Sequence, residues 1–185
     1  MPFAVTERLV IRRFRTEDTA AFAAYRSDPE VALYQSWTAP LPLEQAAELI
    51  GEFATGDPRA PGWFQYAIAL READDVLIGD IGVALHANLM QADIGFTLDK
   101  RYQGRGYATE AVRAMLRLLF TELKLRRVSA ECDARNHASA RLLERVGFQR
   151  EGLRRKHTWA KGEWTDDLLY GVLAADFQTA GLGAG

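Results

Sequence analysis

Cysteine is almost absent from this sequence. Cys132 stands alone, so no internal disulfide can form and a secreted disulfide scaffold is excluded. Histidine is scarce, three residues in 185, and no His/Cys cluster carries the spacing of a metal site. No apolar run approaches the roughly 20 residues of a membrane span, and the opening stretch "MPFAVTERLVIRRF" lacks a signal-peptide pattern. An excess of one charge is missing too. Lys and Arg number 23 against 25 Asp and Glu, a net charge of −2 with both signs dispersed, which argues against a general nucleic-acid binder. What remains, 48% hydrophobic and 26% charged, is the composition of one globular domain whose length can bury a core unaided. A reducing cytoplasm suits its cysteine usage, and neither membrane nor nucleic acid is expected as a partner.

The patterning predicts a mixed α/β domain. Residues 8–14, "RLVIRRF", alternate as a strand with Leu9, Ile11 and Arg13 on one face. A helix follows, with Thr16 as N-cap and Asp28-Pro29 as its stop, and a second helix runs from about Pro42 to Phe53. After the loop 56–62, two β-rich runs at 63–70 and 76–85 flank an acidic turn, and 92–99 is a third consecutive strand. A helix over 106–123 carries Val112, Met115, Leu116, Leu119 and Phe120 at helical spacing. The strand after it, 126–132, follows a crossover helix and is therefore expected to pair in parallel. A short helix at 137–146 ends on Gly147-Phe148, and strands at 152–160 and 166–174 close the chain. The expected architecture is a mixed, mostly antiparallel sheet flanked by about four helices, one domain over 1–177. The tail 178–185 is too small and polar to pack and is expected to be disordered.

The stretch "FTLDKRYQGRGYATEAVRAMLRLLF" (96–120) runs from strand through a glycine turn into a helix. A helix start offers unpaired N–H groups and a partial positive charge, so it attracts phosphates, and glycines let a ligand come close to the backbone. A Walker loop is excluded because no lysine follows the glycines. A dinucleotide fold, and with it an NAD-dependent oxidoreductase, fits poorly: Thr109 stands where the third glycine belongs, and the strands before the turn look antiparallel. Taken alone, the turn could serve chain geometry only.

Gln103-x-x-Gly106-x-Ala108 resembles the [QR]-x-x-G-x-[GA] motif of the GNAT N-acetyltransferase superfamily, and Arg101-x-x-Gly104-x-Gly106 fits in a second register. Downstream, "NHASARLLERVGFQREG" (136–152) resembles the N-x-x-S-x-x-[LV]-x-x-x-G-F segment of the branch that acetylates ribosomal-protein N-termini and related small substrates. The closing "HTWAKGEWTDDLLYGVL" is similar to that branch's final hairpin. The resemblance implies the GNAT-type acyl-CoA N-acyltransferase fold and acetyl-CoA as acetyl donor, with no metal. It implies a pyrophosphate held by the turn Gln103, Gly104, Arg105, Gly106, Tyr107, Ala108 and Thr109. Pantetheine would lie along the main chain of Phe96, Thr97 and Leu98 and touch Asn136, in an enzyme that is commonly a homodimer.

Asn136 also suits a helix N-cap, with Ser139 three positions on, and one amide side chain can serve both roles. Within the resemblance, Ser139 is the candidate acid for the leaving thiolate. Acetyl transfer also needs a base for the acceptor ammonium. Asp93, on the strand feeding the turn, and Glu131, on the next, are the candidates, each equally readable as a solvated strand charge. Relatives can carry a carboxylate on the penultimate strand where this chain has Thr158, beside His157. Trp37, Trp63, Trp159 and Trp164 are expected to pack at the core or rim, Cys132 in the core, and Arg154-Arg155-Lys156 on a solvated face unless it meets the 3′-phosphate of CoA. The function expected is acetyl transfer from acetyl-CoA to a primary amine, whether protein N-terminus, amino acid, polyamine or aminoglycoside, directly within a ternary complex. The rival is a CoA-binding sensor without catalysis.

Overall fold

The computed structural model describes residues 1–179. Eight strands form one sheet in the order β1-β2-β3-β4-β5-β6-β8-β7, and every neighbouring pair but one is antiparallel. The exception is β5 (Gln91–Leu98) beside β6 (Arg127–Asp133), joined through α4 (Tyr107–Thr121). That parallel pair is the one the sequence pattern predicts. The meander β3 (Gly62–Leu70), β4 (Leu77–Leu85) and β5 lies at the centre, as the run of β-rich segments implies. The chain enters by β1 (Ala4–Val5) and β2 (Leu9–Arg12) and closes with the hairpin of β7 (Gln149–Ala160) and β8 (Glu163–Leu173).

Two apolar layers sandwich the sheet. On one face α4 lays down Ala111, Val112, Met115, Leu116 and Leu119, all fully buried, against Ile81, Val83, Ile94, Val128 and Tyr170 of the strands. On the other, α1 (Thr19–Arg26) and α3 (Leu43–Thr55) bury Phe22, Tyr25 and Ile50 against Phe14, Ala67 and Leu77. The second layer covers only part of its face, so the β5–β6–β8 side keeps polar and exposed residues such as Gly95 and Glu131.

Four elements differ from expectation. β1 is a strand of two residues, too short to show alternation. Thr16 does not cap α1: it opens a 3₁₀ turn (Thr16–Asp18), because the Asp18 carboxylate instead accepts the Arg15 N–H at 2.7 Å and the Arg12 guanidinium at 2.7 and 2.8 Å. Asp28-Pro29 ends α1 and also starts α2 (Pro29–Ala32), the Asp28 carboxylate accepting the Glu30 N–H at 2.8 Å. Finally α6 (Ala174–Thr179) carries helix two residues into the segment expected to be disordered, anchored by Phe177, buried 5.3 Å from the Phe120 ring. Residues 180–185 lie outside the described residues.

The sheet has one gap, and it positions everything that follows. β5 and β6 pair only at Gln91↔Arg127, Ala92↔Val128 and Asp93↔Ser129. Beyond that point β5 stays with β4 as far as Leu98, while β6 stays with β8 as far as Asp133. The two strands therefore splay, leaving Ile94–Leu98 without a strand partner on the side that faces an opening in the middle of the sheet.

Candidate active site

The glycine turn stands at the mouth of that opening. Asp99 caps the 3₁₀ turn Lys100–Tyr102, accepting the Arg101 N–H at 2.8 Å and pairing with its guanidinium at 2.6 Å. Burial pushes the Asp99 carboxyl up, and the Arg101 hydrogen bonds and charge more than offset it, leaving it below its ordinary range. Gln103 folds back, Nε2 donating to the Leu98 carbonyl at 2.9 Å, which ties the turn to the strand end. Gly104 and Gly106 then adopt left-handed φ of +73° and +82°. Gly106 is the N-cap of α4, and the helix's first backbone bond runs from the Glu110 N–H to the Gly106 carbonyl at 3.0 Å. No side chain caps the N–H groups before it, and a Cβ at Gly104 would meet nothing within 4 Å. An uncapped helix start facing open space is suited to a phosphate.

The turn is braced from outside by Glu110. Its carboxylate accepts the Thr6 hydroxyl at 2.6 Å, the Arg8 N–H at 2.9 Å and Arg8 Nε at 2.6 Å, while Arg8 Nη1 reaches the Arg105 carbonyl at 3.0 Å. Burial pushes Glu110 up, but these hydrogen bonds and the Arg8 charge hold its carboxyl below the usual range. Stabilisation from a depressed carboxylate is present above the unfolded pKa, about 4.3, and is lost as pH falls through the folded one. Thermal melts of the wild type and Glu110→Gln should therefore differ by a constant gap from neutral pH down to about 5, a gap that closes only below about 4. A gap that closes near neutrality would contradict the clasp.

The cleft behind the turn has a volume of about 540 Å³. It gathers most of the residues the sequence singles out. Phe96, Thr97, Leu98, Gln103, Gly104, Gly106, Tyr107, Ala108, Thr109, Asn136 and Ser139 all line it. Arg105 does not; it stands exposed beside Arg8. Asn136 is the N-cap of α5 (His137–Arg145), its Oδ1 accepting the Ser139 N–H at 3.1 Å. Ser139 lines the cleft, and its hydroxyl has no hydrogen-bond partner among the described residues.

The two candidate bases are placed elsewhere. Asp93 sits in the last parallel pair, before the strands open, and its carboxylate is 2.9 Å from His86 Nε2. Glu131 pairs with Arg154 at 3.4 Å. Neither lines the cleft, because strand alternation assigns a face but not the neighbour that occupies it. His157 lies 3.2 Å from Arg154, and the run Arg154-Arg155-Lys156 belongs to β7, away from the cleft wall. The cations that do line it are Arg141 and Arg145, one turn apart on α5. Their i, i+4 spacing after Asn136 was the available signal. Tyr34 and Gln35 also line the cleft, Gln35 Nε2 donating to the Phe96 carbonyl at 3.4 Å, and nothing local in their sequence marks them.

Of the tryptophans, only Trp37 is tied inward, donating to the Arg26 carbonyl at 3.0 Å; Trp63, Trp159 and Trp164 are exposed. Cys132 is half-buried at the core edge, its thiol pushed up to about 11 by burial and then by the nearby carboxylates Asp133, Asp167 and Glu131.

A mixed sheet split between its two parallel strands, with an uncapped glycine turn at the split, defines the acyl-CoA N-acyltransferase fold. The acetyltransferase (GNAT) domain family matches residues 8–149, and the chain belongs to it. An uncharacterised N-acetyltransferase p20 of Bacillus licheniformis is 33% identical over 174 residues, covering 93% of this chain and 96% of that one. The [ribosomal protein uS5]-alanine N-acetyltransferase of Escherichia coli is 28% identical over 102 residues, about half of each chain (52% and 53%). A GNAT-family acetyltransferase structure from Bacillus anthracis superposes with a TM-score of 0.83 at 29% identity, covering 92% and 98%. The chain is an N-acetyltransferase, of a family that uses acetyl-CoA and acts on amines.

Proposed function

We propose that this enzyme binds acetyl-CoA in the split between β5 and β6 and transfers its acetyl group directly to a primary amine within a ternary complex. The observation that carries the proposal is the uncapped start of α4, with Gly104 and Gly106 left-handed, opening into a cleft walled by a strand edge that no neighbouring strand covers. The N–H groups from Gly106 to Thr109 would hold the pyrophosphate, with Arg141 and Arg145 supplying positive charge nearby. The edge of Phe96–Leu98, which has no strand beside it, would take the pantetheine along its backbone, with Asn136 also lining the cleft. Acetyl-CoA brings the acyl group activated as a thioester.

The chain supplies the rest. A main-chain N–H near Leu98 donates toward the acyl oxygen, which gains negative charge as the amine attacks. The Ser139 hydroxyl, unpartnered in the cleft, holds a proton for the departing sulfur. The same reading takes residues 1–177 as one domain working in the cytoplasm.

Thermal melting with acetyl-CoA, CoA and NAD tests the binding half. A ligand at 100 times its Kd stabilises by about 2.7 kcal/mol, so acetyl-CoA and CoA should each raise the melting temperature clearly and NAD should not. No shift at saturating acetyl-CoA, or an equal one with NAD, would overturn the proposal.

A further inference from the structure

Backbone groups along β5 alternate in direction, and the bonds at its two ends fix which side each residue faces. The Gln91 carbonyl accepts the His86 N–H at 2.9 Å and the Asp99 N–H donates to the Ile78 carbonyl at 2.8 Å, so odd-numbered residues face β4. The Met90 carbonyl accepts the N–H of Arg126, just before β6, at 2.8 Å, so even-numbered residues face β6. Phe96 and Leu98 therefore turn both N–H and C=O into the split, beyond the last β5–β6 pair at Asp93↔Ser129. Two glutamines occupy the carbonyls. Gln103 Nε2 donates to Leu98 at 2.9 Å, and Gln35 Nε2 donates to Phe96 at 3.4 Å.

The two contacts are unalike. Gln103 belongs to the glycine turn, five residues from Leu98, and its short bond fastens that turn to the strand end. Gln35 comes from the segment after α2, 61 residues away, and its contact lies at the long end of the N–H···O range. Other groups secure its backbone. Lys161 Nζ donates to the Ala32 and Leu33 carbonyls, Glu30 pairs with Lys100 beside the turn, and Arg135 packs against the Tyr34 ring. The Gln35 amide can therefore let go without moving the wall that carries it. Its side chain is half-buried, so water can take the released amide.

A main-chain carbonyl turned into a cleft needs a donor, and leaving it unmet is costly. In the empty cleft the Gln35 side chain supplies that donor to Phe96. Pantetheine carries amides along its arm, each with one N–H and one C=O, the same pair of groups that Phe96 presents. A side-chain amide and a pantetheine amide bring the same N–H donor to the same oxygen. They compete for it.

We propose that Gln35 is a specificity-determining placeholder for pantetheine: its amide holds the Phe96 carbonyl in the empty cleft and yields it to an amide N–H of the incoming cofactor. The inference rests on the acetyl-CoA reading above and adds a selection to it. A thioester on an amide-bearing arm replaces the Gln35 bond as it binds, so the carbonyl is never left without a donor. An acyl donor without such an arm gains nothing from this edge. Gln103, by contrast, keeps the Leu98 carbonyl in both states.

The test is isothermal titration of the wild type, Gln35→Leu and Gln35→Ala with two ligands. One is acetyl-CoA; the other is adenosine 3′,5′-bisphosphate, the nucleotide end of CoA without the pantetheine arm. Both variants should bind acetyl-CoA about threefold more tightly than the wild type, because one modest hydrogen bond no longer has to be broken. The gain should appear with leucine and with alanine alike, which separates it from added apolar contact. The bisphosphate, which does not reach Phe96, should bind all three proteins equally. Gln103→Leu should move the opposite way and weaken acetyl-CoA, since it loosens the turn from the strand. Weaker or unchanged acetyl-CoA binding in the Gln35 variants, or an equal gain for the bisphosphate, would overturn the assignment. A wild type that binds acetyl-CoA no better than the bisphosphate removes pantetheine from the β5 edge, and one that binds neither removes the acetyl-CoA reading; each takes this inference with it.

Discussion

Gly106→Val is expected to weaken acetyl-CoA binding on the order of a hundredfold, about 2.7 kcal/mol. Two effects combine. At a φ of +82° a β-branched residue is strained, by about 1–2 kcal/mol for a non-glycine residue in this region. Relief of that strain would rotate the very N–H groups that face the cleft. The added Cβ would also sit 3.4 Å from Arg8 Nη2, in the guanidinium that holds the Arg105 carbonyl. Gly106→Asn is the matched control, because asparagine tolerates the left-handed region and should lose much less. Isothermal titration of both variants with acetyl-CoA, alongside their melting temperatures, decides the point. A folded valine variant with wild-type affinity would remove the turn from the binding site.

Ser139→Ala should lower kcat on the order of 10² while acetyl-CoA affinity and melting temperature hold. The structure makes this substitution unusually clean. The Asn136 cap bonds to the Ser139 backbone N–H, which alanine retains, and the hydroxyl itself has no partner among the described residues. Removing it therefore takes away a proton donor without disturbing the helix. Rapid-quench kinetics of thiol release would place the loss in the chemical step. An alanine variant turning over at the wild-type rate would exclude Ser139 as the acid.

The parts of the site that were legible in sequence are those built from local chemistry. Gln103 to Thr109 read as a phosphate-seeking turn because two glycines precede an amphipathic helix, and Asn136 read as a cap because its residue type and the helix pattern agree. The meander and the parallel crossover followed from strand order alone. What could not be read depends on partners far along the chain. Asp93 and Glu131 were sensible acid–base candidates by position, but His86 and Arg154 occupy them. Tyr34 and Gln35 reach the cleft only because α2 restarts the helix after Asp28-Pro29, a pair that signals a stop equally well.

The measurement that bears most directly on acetyl transfer through this cleft is mass spectrometry of acceptors incubated with the enzyme and isotope-labelled acetyl-CoA, with free thiol counted in parallel. An N-terminal alanyl peptide, free amino acids, spermidine and an aminoglycoside form the panel. One of these amines should gain a single labelled acetyl group, with one thiol released per acetyl transferred and no labelled acetyl left on the protein. Tight acetyl-CoA binding with no acceptor labelled and no thiol released, or a stable acetyl adduct on the enzyme itself, would contradict direct transfer.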